Sequence, residues 1–439
     1  MTMYEVIEKK RDGGILSKEE IEFFVTGFTD GSIPDYQAAA LLMAIYLKGL
    51  TNEEIYTLTR AMKNSGDVID LSPIEGIKVD KHSSGGVGDK TTFIVGPLAA
   101  ACGVSVAKMS GRGLGFTGGT VDKMESIPGF RTALEPDEFM KQVNEIGMSV
   151  IGQTAHVAPA DKKIYALRDV IATVDNMGLI ASSIMSKKLA SGANAILLDV
   201  KCGDGAFMQT PELAEELGTL MCHIGADDNV PTAAAITDMN QPLGCAVGNS
   251  LEVIEAIETL KGNGPSDITE LSLKLAGMMA YMGRKAQSAE EGYEMAKEAL
   301  SSGKALEVFR KFVEAQGGDP AIVDDYSILG GAKFKADLAA DASLAGYIGK
   351  IHARQIGIAS QHLGAGREKK EDDIDMNAGI YLYKKVGDEV KEGDIIATLY
   401  SNDEEKLQNA IAEAIAAYEI STEPVEKSVL VKKIIGPFI

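Results

Sequence analysis

Two glycine-rich loops constrain this chain most. Lys81-His82-Ser83-Ser84-Gly85-Gly86-Val87-Gly88-Asp89-Lys90-Thr91-Thr92 follows the short apolar run Ile77 to Val79. Lys108-Met109-Ser110-Gly111-Arg112-Gly113-Leu114-Gly115-Phe116-Thr117-Gly118-Gly119-Thr120 follows the run Val104 to Ala107. Glycines let backbone N–H groups converge on an anion, hydroxyls add donors, and lysine supplies charge. The first loop lacks the GK[ST] ending of a P-loop, and by itself it also reads as an ordinary polar turn. Two such loops at successive strand ends face one crevice if the sheet is parallel. An ionised phosphate needs several donors and a positive charge, which the two loops together supply.

The texture around these loops is α/β. Short apolar runs at Ile77 to Val79, Thr92 to Val95 and Val104 to Ala107 alternate with glycine turns and helical stretches, suggesting βα units around a buried sheet. Before them, Ser17-Lys18-Glu19-Glu20 and Thr51-Asn52-Glu53-Glu54 are capping boxes that start helices. Between these, Ala39, Leu42, Met43, Ile45 and Tyr46 recur at helical spacing, with Pro34 before them and Gly49 after. A helical pair, Asp161 to Val170 and Leu179 to Ser191, interrupts the α/β region, which resumes with a strand at Ile196 to Val200. Long helices are expected at Ser250 to Thr259, Ile268 to Met282 and Ala289 to Ser301. Near the end, Val386 to Asp394 joins the alternating runs Ile380 to Tyr383 and Ile395 to Leu399, like the hairpin of a biotinyl-type sandwich. The lysine-bearing tip of a true carrier does not appear, so the hairpin reads as structural.

The expected partition is a helical domain of residues 1–66 with 162–192, an α/β phosphate-binding domain of 67–161 with 193–335, and a C-terminal α+β domain of 336–439. A length of 439 residues suits about three domains. Crossings at Gly66 to Pro73, before Asp161 and after Ser191 permit rigid-body closure.

With 43 basic against 64 acidic residues, the formal charge of −21 repels nucleic acid and anionic membranes, and no basic run offsets it. Cys102, Cys202, Cys222 and Cys245 form no CxxC, which argues against structural zinc and a disulfide framework. Met1 to Arg11 has no apolar signal region. The stretch Phe93 to Ala107 is too interrupted to span a membrane. A cytoplasmic protein is expected. His156, His223, His352 and His362 show no partner pattern and read as structural.

A third signal lies on the helical pair. Arg168 sits in Tyr165-Ala166-Leu167-Arg168-Asp169, and Ser183 and Lys187, four apart, share one helix face. Solvated charges on an amphipathic helix would look the same. All three signals together, with Asp199 to Met208 and Asp238 to Gly244, resemble the thymidine and pyrimidine-nucleoside phosphorylase family over nearly the whole chain and in the family's order.

The resemblance implies a fold like that of the nucleoside phosphorylases and anthranilate phosphoribosyltransferase, a homodimer, and a cleft that closes on a pyrimidine nucleoside and inorganic phosphate. It implies phosphate ligands at Lys81, Ser83, Thr92, Ser110 and Thr120, with Lys108 beside them. Arg168, Ser183 and Lys187 would hold the pyrimidine. His82, Arg168 and Lys187 would assist its departure. No redox cofactor is required, and phosphate is the co-substrate.

Lys108 stands where strict thymidine phosphorylases carry methionine, so activity on uridine as well as thymidine is expected. Ser84 replaces a usual threonine and Phe116 a usual histidine. A family potassium site would use Gly88, Leu243, Ala246 and Glu255, but Lys90 replaces a threonine there. Its ammonium can itself neutralise Glu255, so the metal is expected to be weakened or absent. Two rivals remain open: a magnesium-dependent phosphoribosyltransferase, and a catalytically silent nucleoside-binding protein.

Overall fold

The computed structural model describes residues 1–437 other than 114, 155, 368, 370 and 371, so Leu114 of the second glycine loop lies outside the described residues. The chain opens with α1 (Met3–Arg11), α2 (Lys18–Asp30), α3 (Asp35–Lys48) and α4 (Asn52–Lys63). Capping boxes set the starts of α1, α2 and α4. The Ser17 hydroxyl accepts from the Glu20 N–H at 3.3 Å while the Glu20 carboxylate accepts from the Ser17 N–H at 2.6 Å. Thr51 and Glu54 make the same exchange at 3.3 and 2.8 Å. Phe24, Phe28, Leu41, Leu42, Ile45 and Leu58 close the core between these helices. The free Glu54 oxygen accepts from the Lys10 ammonium at 2.7 Å and the Leu16 N–H at 2.8 Å, a buried ion pair joining α1 to α4.

The next segment holds β1 (Val79–Ser83), α5 (Thr92–Ala101), β2 (Val106–Ser110), α6 (Thr120–Glu125), α7 (Pro136–Ile146) and β3 (Met148–Gly152). Then come α8 (Pro159–Val170), α9 (Met177–Ala190), β4 (Ala195–Cys202), α10 (Pro211–Asp227), β5 (Thr232–Asp238) and β6 (Ala246–Gly248). The run ends with α11 (Ser250–Leu260), α12 (Ser266–Met282), α13 (Ala289–Ser301) and α14 (Lys304–Ala315). β1, β4 and β5 run parallel, with Val79 opposite Ala195 and Ile196 opposite Thr232. β2 and β3 are also parallel. A parallel bridge between Lys78 and Ser105 sets β2 beside β1, so both strands end on the same edge.

Two expectations are corrected here. Thr92 to Val95 is not a strand but the first turn of α5, whose Phe93, Ile94, Val95 and Leu98 are all buried. A four-residue apolar run buried on every side does not distinguish strand from helix. The strands also run further than their apolar residues: Lys81, His82 and Ser83 lie on β1, and Lys108, Met109 and Ser110 on β2.

The last segment comprises β7 (Phe334–Ala339), β8 (Gly346–Ile351), α15 (Ala353–Ser360), β9 (Gly379–Leu382), β10 (Glu389–Val390), β11 (Ile395–Ser401), α16 (Glu404–Ile415), β12 (Tyr418–Ser421) and β13 (Val431–Ile435). One sheet has the order β6-β9-β11-β7 and another β10-β8-β12. The division at residue 336 is therefore not respected by strand pairing. β6, from before it, pairs with β9, and β13, from after it, pairs antiparallel with β5 and covers that sheet edge.

α9 belongs to two cores. Its first turn, through Leu179, joins Ala160 and Ile164 of α8 against α1 to α4. Further along, Ala181, Met185 and Leu189 pack on Ile196, Leu198 and Val200 of β4 and on α10. Among the described residues, no helix is long and apolar enough to cross a membrane.

Candidate active site

The first loop stands on a buried charge network. Lys81, on β1, donates to the Thr91 hydroxyl at 2.5 Å and lies 3.1 Å from the Asp199 carboxylate. Burial opposes its charge, but Asp89 and Asp199 outweigh it and raise the Lys81 pKa. Asp89 accepts from the Thr91 N–H and hydroxyl at 3.1 and 2.5 Å, turning the loop into α5. Burial would raise its pKa, but Lys81 and Lys201 hold it well below the usual carboxylate range. Ser83 accepts from the Gly85 N–H at 3.2 Å, and Thr92 opens α5.

The second loop starts where β2 ends, at Ser110. Lys108, one residue before Met109, points back to β1: its ammonium lies 3.4 Å from Asp80 and bonds to the Lys81 carbonyl. Burial, against the attraction of Asp80 and with repulsion from Lys188 and Lys81, pushes its pKa down to about 8. Lys81, Thr92 and Lys108 border one small cavity whose other walls are mostly apolar. Asp122 folds the loop by accepting from the Gly113 N–H at 2.7 Å and from Arg367 at 2.8 Å. A side chain on Gly119 would lie 1.9 Å from the Gly113 nitrogen, so only glycine permits that crossing next to Thr120. Phe116 turns its ring toward Arg354, whose guanidinium carbon is 5.2 Å from the ring centre. Both loops meet α15 around a further cavity lined by Gly88, Phe116, Thr117, Gly357 and Gln361.

The helical pair faces these strand ends. Lys187 donates to Ser183 at 2.9 Å and pairs with Asp161 of α8. Arg168, only 1% exposed, donates to the carbonyls of Thr173, Leu179 and Val174 at 3.1, 3.0 and 2.6 Å. Burial lowers its pKa despite Asp161, and these bonds spend much of its guanidinium on bracing the α8–α9 turn.

Lys188, which the sequence reading passed over, joins the two walls. It donates to Asp80 of β1 and to the Met109 carbonyl of β2, both at 2.9 Å. His82 stands among these cations. Burial first, then Lys188, Lys108, Lys81 and Lys187, holds its pKa well below the ordinary histidine value, leaving a neutral imidazole. Asp80, Asp161, Asp199 and Thr91 were also missed. Each is a polar residue whose sequence signal, taken singly, equals that of a solvated one. Only a carboxylate inside an apolar strand, as at Asp199, hints otherwise.

Lys90 points away from the loops, toward α11. Its ammonium donates to the carbonyls of Leu243 and Ala246 at 3.0 and 2.8 Å and pairs with Glu255. That ammonium takes the volume a potassium ion would need between these groups, so the residues present do not fit the ion. Among the described residues, no group of three or more His, Cys, Asp or Glu side chains is placed to hold a metal.

Comparison with known proteins agrees with this layout. Residues 4–66 match the glycosyl transferase family, helical bundle domain, and residues 75–306 the glycosyl transferase family, a/b domain. Residues 347–421 match the pyrimidine nucleoside phosphorylase C-terminal domain. The pyrimidine-nucleoside phosphorylase of Staphylococcus haemolyticus (strain JCSC1435) is 54% identical, over 99% of this chain and 100% of that protein. That of Geobacillus stearothermophilus is 53% identical, over 98% of this chain and 99% of its own length. That of Bacillus subtilis (strain 168) is 54% identical, over 96% and 97%. The anthranilate phosphoribosyltransferase of Thermus thermophilus superposes with a TM-score of 0.56 at 20% identity, covering 71% of this chain and 98% of that one, which speaks for the fold alone. With relatives this similar end to end, and a C-terminal region that matches the pyrimidine nucleoside phosphorylase C-terminal domain, the chain belongs to the pyrimidine-nucleoside phosphorylase family.

Proposed function

We propose that this enzyme, a pentosyltransferase, catalyses the reversible phosphorolysis of uridine, thymidine and deoxyuridine to the free base and ribose or deoxyribose 1-phosphate, in nucleoside salvage and catabolism. The observation that carries this reading is the pair of bonds from Lys188 to Asp80 and the Met109 carbonyl. They hold the helix bearing Ser183 and Lys187 against the strand ends bearing His82 and Ser110, as one small ligand gripped at both ends requires.

Phosphate is bound by Lys81, Ser83, Thr92, Ser110 and Thr120 with Lys108, and one of its oxygens forms a bond to the anomeric carbon. The bond from that carbon to the ring nitrogen breaks, and its electron pair passes to the pyrimidine. Arg168 and Lys187 stabilise the charge that develops on the base, and Ser183 pairs with a ring group. His82, as a neutral imidazole, gives the departing base a hydrogen bond from its N–H. Phosphate is the co-substrate, and no further cofactor is required. Lys108, a cation beside the sugar, engages the ribose hydroxyl and admits ribonucleosides. A substrate panel tests this breadth: uridine, thymidine and deoxyuridine should all release base with phosphate. Turnover of thymidine with none of uridine contradicts it.

The enzyme works as a cytoplasmic homodimer whose helical wall closes on the α/β wall. The exposed Tyr4 of α1 and Tyr36 and Leu47 of α3 support a subunit contact, and the free thiols of Cys102, Cys202 and Cys222, all buried, support a reducing compartment. Small-angle scattering should give the mass of two chains and a smaller radius of gyration with both ligands bound. A single-chain mass, or an unchanged radius, contradicts the corresponding part.

A further inference from the structure

Lys90 is among the largest fully buried side chains of the molecule, and nothing in the proposed chemistry uses it. Its ammonium meets the carbonyls of Leu243 and Ala246 and the Glu255 carboxylate. The other Glu255 oxygen accepts from the N–H groups of Cys245 and Ala246 at 2.9 and 3.1 Å. The cage is tight. A side chain on Gly88 would lie 2.6 Å from the Leu243 oxygen, and one on Gly244 would lie 3.0 Å from the Lys90 nitrogen. Backbone carbonyls with one carboxylate, shut away from water, are the oxygen set that holds a hard monovalent cation. Here the chain brings its own cation, and the contact ties the end of the first glycine loop to α11. One turn earlier on α11, Glu252 pairs with Lys123 at 3.3 Å, and a side chain on Gly118 of the second loop would lie 2.8 Å from that ammonium. The same helix thus meets the first loop at Lys90 and α6, just after the second loop, at Lys123, each through a buried lysine–glutamate pair.

We infer that Lys90 is a positioning residue whose ammonium acts as a tethered monovalent cation, fixing the first loop and freeing the enzyme from any need for potassium. Removing the ammonium strands two carbonyls and a carboxylate in a dry cage. A shorter neutral side chain leaves both the space and the charge for a free ion. Lys90→Thr should therefore create a potassium-dependent enzyme.

The activity arm rests on the proposed phosphorolysis; the stability arm does not. Wild-type and Lys90→Thr proteins, dialysed into tetramethylammonium chloride, are titrated with potassium chloride at constant ionic strength. Thermal midpoint and phosphate kcat/KM are followed. The wild type should show no saturable response in either. Lys90→Thr should have a lower midpoint and a kcat/KM reduced on the order of 100-fold, both recovering saturably with potassium. A saturable rise in the wild type overturns the inference, as does a variant whose midpoint ignores potassium. Should Lys90→Thr fold in neither salt, the wild-type titration alone decides.

Discussion

At the residue scale, the density of lysine around β1 is the main physical fact. Lys81, Lys108, Lys187 and Lys188 all act electrostatically on His82, and Asp80, Asp89, Asp161 and Asp199 keep them folded in place. Burial pushes the Lys108 pKa down to about 8. The free enzyme should thus hold the Lys108 charge below that pH and lose it above. The ratio of wild-type to Lys108→Met kcat/KM for phosphate cancels the titration of phosphate itself. That ratio should be about tenfold in the acid range, one charge-assisted hydrogen bond, and fall toward unity as pH rises through about 8. A ratio flat with pH contradicts a phosphate role for Lys108. The placement of these residues was legible only in part. Glycine, hydroxyl and lysine in one loop suggest an anion site. Nothing in a single Lys188 or Asp80 tells a buried partner from a solvated charge.

At the scale of elements, helices with capping chemistry were readable and strands through polar residues were not. The Ser17–Glu20 and Thr51–Glu54 boxes start α2 and α4 because each exchange satisfies N–H groups that the helix leaves free. β1 and β2, by contrast, carry Asp80, Lys81 and Lys108 inside the sheet, so the apolar runs stop before the strands do. The Thr51–Glu54 box does more than start a helix, because Glu54 also pairs with Lys10 within the core. Glu54→Ala should lower stability by about 3 kcal/mol, the cost of stranding a buried charge, as read by urea unfolding. Burial would raise the Glu54 pKa, but Lys10 and the N–H groups of Thr51 and Leu16 outweigh it and lower it below 4.5. The stability it contributes is therefore complete above its unfolded value and is lost as pH falls through the lower folded value. In Glu54→Ala that acid-side loss should shrink; an unchanged acid limb contradicts the assignment.

For the whole molecule, sequence order hides how the parts interlock. α9 lies in two cores, and β6 and β13 each cross the division near residue 336. Long-range strand exchange of this kind leaves no local signal, whereas alternating runs and turns did reveal the α/β class and the hairpin of β9 and β11. α9 turns the proposed base-binding face toward the strand ends. The most direct measurement of what the two walls do together is product analysis by phosphorus NMR with uridine and phosphate, without magnesium. Ribose 1-phosphate should appear one-for-one with uracil, and no uracil should form when phosphate is omitted. Uracil formed without the sugar phosphate, or only with magnesium and phosphoribosyl pyrophosphate present, would contradict the proposed phosphorolysis.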